Sequence, residues 1–168
     1  MLALVVRAFG GHVLSVVQAP PDDDPVRDVL DRQRRLLDVL APDEAFARAA
    51  LLALDECAPP NDRARWLELV SAHSAEDLRR LVAAGVLRPD TPVGLTSRLL
   101  LLGRDGAVRR WFRGLSSFEQ LRADYLAVTV STLLAMATDD GRRRLWGELA
   151  ALPQPSPDEL QSTDEETR

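Results

Sequence analysis

The sequence predicts an all-α fold, a bundle of about six to seven helices, on three observations. Apolar residues recur at three- and four-residue spacing along most of the chain. Prolines and glycines punctuate those stretches, as at Pro20-Pro21, Pro59-Pro60, Gly85 and Gly114. Asp, Asn, Thr and Ser stand where helix N-termini need a side-chain acceptor. A length of 168 residues gives one domain, assigned to residues 1–152 and expected to bury roughly 68–70% of the unfolded surface. Residues 153–168 are rich in proline, serine and acid and read as a disordered tail.

Met1 to Ala19 carries Leu2, Val5, Val6, Phe9, Val13 and Val16 at helical spacing, yet it is valine-rich with Gly10-Gly11 at its middle, so a helix and a β-hairpin both fit. It is too interrupted to span a bilayer, and Arg7 falls inside the apolar run rather than before it, against a signal peptide. Asp24 caps a helix from Pro25 to Leu40, whose apolar stripe of Val26, Val29, Leu30, Gln33, Leu36 and Leu37 leaves arginines and aspartates on the opposite face. Pro42 to Cys57 is apolar nearly all round and is expected to be central. Asn61 caps a long helix that closes at Gly85, with Val86 placed to fold back onto Leu81.

Thr91-Pro92 is read as the cap and start of a helix ending at Gly114, with an irregularity at Gly103 to Gly106. Ser116 with Glu119 and Ser117 with Gln120 have capping-box spacing and open a helix to Ala137 that is apolar on more than one face, as though it had two neighbours. Asp139-Asp140-Gly141 is read as a break before an amphipathic helix from Arg142 to Leu152.

The composition is 46% hydrophobic and 28% charged, well inside the globular regime. A net charge of -5 argues against a free-standing nucleic-acid-binding module. Cys57 is the single cysteine and His12 and His73 the two histidines, which excludes an internal disulfide and any zinc-ligand spacing and suits a reducing cytoplasm. There is no phosphate loop, no nucleophile elbow and no metalloprotease or calcium-loop pattern. No base has a recognisable partner, so no catalytic residue, no cofactor and no metal site is expected, and the chain is not read as an enzyme. Asp22 to Asp24 read as a solvated loop, and the short arginine runs at 109–110 and 142–144 as solvated faces.

One stretch is positive. Leu81-Val82-Ala83-Ala84-Gly85-Val86-Leu87-Arg88-Pro89-Asp90-Thr91-Pro92, a helix closing in glycine followed by an extended link into an apolar helix, resembles the C-terminal domain of the tetracycline-repressor (TetR) family of transcriptional regulators. The resemblance covers about Met1 to Ala137. It implies that Met1 to Ala19 is that family's connecting helix, which selects the helical alternative there. It further implies that Thr91 to Gly114 and Ser117 to Ala137 are the last two helices, through which these proteins pair as a four-helix bundle. The family's N-terminal helix-turn-helix DNA reader is not found in these residues, so contact with DNA is expected only through such a module outside this chain.

On that resemblance the expected function is effector sensing and dimerisation in a transcriptional regulator: a small hydrophobic ligand would favour one packing of the bundle and so release DNA. The lining groups expected for it are Phe9, His12, Leu37, Trp66, Val70, His73 and Leu101, apolar and aromatic walls with a few polar tips. The homodimer interface expected comprises Leu95, Leu99, Leu102, Gly106, Trp111, Leu121, Tyr125, Val128 and Leu133, with Gly106 allowing close approach of two backbones. The alternative is a stand-alone helical interaction protein without a DNA reader, pairing with itself or forming mixed dimers with an intact regulator. No membrane partner is expected.

Overall fold

The structure, a computed structural model, describes residues 23–57 and 60–151, the side chains of 57, 60–66 and 69 excepted. The expectations for Met1 to Ala19, for Phe9, His12 and the Trp66 side chain, and for the tail after Pro153 lie outside these residues. The described chain is all-helical. Helix α1 spans Pro25–Asp38, and a 3-10 turn at Ala41–Asp43 leads into α2, Glu44–Cys57. Then follow α3, Pro60–Ala83; α4, Val93–Phe112; α5, Phe118–Met136; and α6, Asp139–Ala150. An isolated antiparallel bridge joins Leu87 to Ala137.

Local chemistry accounts for most of the boundaries. The Asp24 carboxylate accepts from the backbone N–H groups of Val26 at 2.9 Å and Arg27 at 3.2 Å, relieving two donors that the first turn cannot satisfy. Ser117 does the same for Gln120 at 3.1 Å. Gly85 adopts φ 71°, which lets the Val86 N–H reach back to the Leu81 carbonyl at 3.0 Å. Gly114, at φ 76°, closes α4 in the same way, with the Leu115 N–H on the Arg110 carbonyl.

Four boundaries or placements differ from those expected of the sequence. Helix α3 already includes Pro60 and Asn61, so Asn61 lies inside the first turn rather than at its cap. The Thr91 hydroxyl donates to the Arg88 carbonyl at 2.6 Å, within the link, and Pro92 precedes α4 without a side-chain cap. Asp139 to Gly141 form the first turn of α6 instead of a break, because Thr138 Oγ1 accepts from the Gly141 N–H at 3.1 Å. Helix α2 is peripheral: Phe46 is exposed, and Ala47, Leu51 and Leu52 rest only half-buried against the core.

The apolar core has two parts. Near one end, Val29, Leu30, Leu78, Leu81, Leu100, Val130, Leu133 and Leu145 bring α1, α3, α4, α5 and α6 together. Toward the other, Leu37, Leu40, Ala107, Trp111, Phe112 and Leu121 pack α1, α4 and α5 with support from α2. Each fully buried Leu or Trp contributes about 1.5–3 kcal/mol over its exposed state. Helix α5 meets α4 on one side and α6 on the other, so its second apolar face finds a neighbour within the same chain. Helix α4 is continuous through Gly103 and Gly106. It is Gly103 that allows close approach: a Cβ there would lie 2.5 Å from a methyl of Val128, whereas one on Gly106 meets nothing within 4 Å.

Candidate functional site

Two features stand out against this frame, a charged cluster inside the bundle and a bare apolar stripe on its outside. The cluster begins on α1, where Asp28 and Arg32 are 2% and 4% exposed instead of lying on the solvent face expected of them. Four residues apart, they stack on one side of the helix, and Arg32 Nη2 donates to Asp28 Oδ2 at 2.7 Å. From α3, Arg80 Nη1 donates to the same oxygen at 2.6 Å. Arg32 Nη1 reaches across to α3, donating to His73 Nε2 at 2.9 Å and Asp77 Oδ1 at 3.4 Å.

A guanidinium has no lone pair to offer. His73 Nε2 is therefore the acceptor, and the imidazole in this arrangement is neutral with its hydrogen on Nδ1. Burial holds its pKa below the ordinary value; Asp77 and Glu76 oppose that shift, while Arg32 and Arg104 add to it. Burial pushes the Asp77 carboxyl up, against the pull of Arg32 and His73. Among the described residues, no group of three or more His, Cys, Asp or Glu side chains is arranged to hold a metal.

Arg104 on α4 completes the cluster. It is 5% exposed, donates from Nε to Thr129 Oγ1 at 3.0 Å and from Nη1 to Ser74 Oγ at 3.4 Å, and lies 5.4 Å from the centre of the Tyr125 ring. Burial lowers its pKa, with Tyr125 and Asp77 opposing. Together these contacts tie α1 to α3, α3 to α4, and α4 to α5.

Of the residues expected to line an effector pocket, those described lie in different surroundings. His73 belongs to the charged cluster, Leu37 to the second apolar cluster, and Val70 and Leu101 are half-buried without joining either. The cavity in this region, lined by Val29, Ser74, Asp77, Leu78, Leu81, Leu100, Arg104 and Leu133, measures about 10 Å³. Asp28, Arg32, Asp77, Arg80 and Arg104 are missed by sequence reasoning because charged residues at helical spacing look like a solvated face. Their signal is Gln33, a polar residue within the apolar stripe of α1 and itself 2% exposed.

The expected interface residues divide by exposure. Trp111, Leu121 and Leu133 are at most 1% exposed and serve the chain's own core, and Tyr125 and Val128 are half-buried, Val128 against Gly103. Leu95, Leu99 and Leu102 are instead 50%, 46% and 69% exposed. Spaced four and three residues apart, they form one stripe along α4 that continues to the open position at Gly106.

Among the described residues no helix is long and apolar enough to cross a membrane. No family model, no curated protein and no solved structure matches the chain.

Proposed function

We propose that this chain is the effector-sensing and dimerisation domain of a TetR-like transcriptional regulator, pairing through α4 with a second copy of itself. The observation that carries the reading is the bare stripe of Leu95, Leu99 and Leu102. Three large aliphatic side chains in line on one helix face are costly to leave in water, and covering each one removes about 1.5–3 kcal/mol of that cost. A twofold axis beside α4 would lay the stripe against its own copy, each side offering the same surface. Gly106 suits such an approach, since among the described residues nothing lies within 4 Å of where its Cβ would be.

The sensing part of the reading draws support from the charged cluster. Its bonds join helices that would have to move relative to one another, and a ligand can shift such a packing only by binding its two states unequally. The cavity of about 10 Å³ lies among these same helices, and an effector entering there would have to part α1, α3 and α4.

Sedimentation equilibrium of the full chain tests the pairing. The unaltered protein is expected to run as a dimer, and Leu99→Glu with Leu102→Glu as a folded monomer with unchanged circular dichroism, because both side chains already face outward. A monomeric parent protein would remove the proposal.

A further inference from the structure

Arg104 is a buried cation whose hydrogen-bond partners are all neutral. The Thr129 and Ser74 hydroxyls take two of its five N–H groups, the Tyr125 ring centre lies 5.4 Å from its guanidinium carbon, and among the described residues no carboxylate lies within ion-pair distance of it. The carboxylate whose charge acts on Arg104 is Asp77, which already serves Arg32 at 3.4 Å and lies 3.6 Å from His73. Arg104, Asp77 and Ser74 line the same small cavity, whose remaining walls are aliphatic.

We propose that this cavity is an internal hydration site, holding one water that bridges Arg104 to Asp77 and Ser74. Its volume of about 10 Å³ is at the threshold for one water, roughly 10–15 Å³. The donor and acceptor inventory selects the occupant. The Arg104 N–H groups donate and the Asp77 carboxylate accepts, while the Ser74 hydroxyl does either, so a water can accept from the first and donate to the second. An inorganic anion would satisfy Arg104 and Ser74 but would face the Asp77 carboxylate across the same space. An apolar group would leave both charges unsolvated, the most costly outcome. The bridge adds a water-mediated ion pair between α3 and α4 to the direct bond from Arg104 to Ser74.

Water–protein Overhauser spectroscopy on the full chain tests this directly. The Arg104 Nε hydrogen, held by Thr129, is expected to show the negative cross-relaxation of a water that stays bound longer than the protein tumbles; its absence overturns the proposal. A second measurement reads the sign of a volume change. Val29→Ile adds one methyl group to a wall of the cavity. In a hydrated site that methyl displaces the water and lowers Tm by about 3 °C, whereas in a dry one it fills a void and raises Tm. A rise overturns the proposal. So does a stabilisation by chloride that sulfate at equal ionic strength does not reproduce, since the occupant would then be an ion.

Discussion

Gly141 lies in the first turn of α6 with no room for a side chain. A Cβ there would sit 2.0 Å from the Val86 carbonyl oxygen and 2.8 Å from its carbon, where ordinary contact begins at 3.4 Å. The obstacle is backbone, which cannot rotate away as a side-chain tip does. Gly141→Ala must therefore push α6 off the turn after α3. Retreat strains the Thr138 N–H bond to the Val86 carbonyl at 3.0 Å and the Thr138 hydroxyl bond to the Gly85 carbonyl at 2.8 Å, and it loosens the fully buried Leu145. Overpacking of this kind costs about 1–3 kcal/mol, and each weakened hydrogen bond up to about 1 kcal/mol. Against that, alanine gains about 1 kcal/mol over glycine as a helix former. The expected net loss is about 2–3 kcal/mol, a fall in Tm of about 8 °C for a chain of this size. Gly147→Ala is the internal control: it lies on the same helix with nothing within 4 Å of its Cβ, so the propensity gain stands alone and Tm should rise by about 2–4 °C. Thermal unfolding followed by circular dichroism reads both. If Gly141→Ala melts at or above the parent temperature, the close docking of α6 on the Val86 turn is wrong.

Two further predictions concern the charged cluster. Asp28→Asn removes the charge that Arg32 and Arg80 share while preserving size; Arg32 stays buried, and urea unfolding should show a loss of about 3 kcal/mol, as when one member of a buried pair is removed. A loss under about 1 kcal/mol would mean the pair is solvated, as surface pairs are. His73 gives stability a pH dependence of definite sign. Its folded pKa lies below the ordinary 6.5, so the unfolded chain takes up a proton first as pH falls. Stability is then lost as pH drops from about 6.5 through the lower folded value. Arg32, Asp77, Glu76 and Arg104 are the charged groups acting on the ring. Asp77, shifted upward, acts in the opposite sense, favouring the folded state between its raised pKa and 3.8. Urea midpoints at pH 7.5 and 5.5 should differ more in the parent than in His73→Gln, which cannot titrate; equal differences would contradict the neutral acceptor role.

Features set by neighbours along the chain are legible in the sequence at Asp24, Ser117 and Gly85, though not at Asn61, Thr91 or Asp139. Asp24 and Ser117 cap because a short acceptor next to a helical run has bare N–H groups within reach, and Gly85 closes α3 because the left-handed turn needs no partner from elsewhere. Features set by distant neighbours are not. Gly103 and Gly106 lie three residues apart on one helix, and only the placement of Val128 on α5 separates the packed one from the open one. Phe46 and its alanine-rich helix look central because helical periodicity records how apolar a face is, not what covers it. Asp28 and Arg32 look solvated for the complementary reason: their partners Arg80, His73 and Asp77 come from a helix more than forty residues on.

The Leu87–Ala137 bridge has a mechanical meaning. With the Arg88 N–H on the Met136 carbonyl and the Thr138 N–H on that of Val86, it fastens together the two feet of the α4–α5 hairpin. A stretch of about fifty residues is thereby drawn into a loop whose ends cannot drift, and its closure is an entropic debt already settled in the folded chain. The hairpin is gripped at the stem like a tuning fork, and at its other end Trp111 and Leu121, on either side of Gly114, are set in the second core cluster. Leu95 stands near the gripped end, so the leucine stripe keeps a set bearing toward α3 and α6.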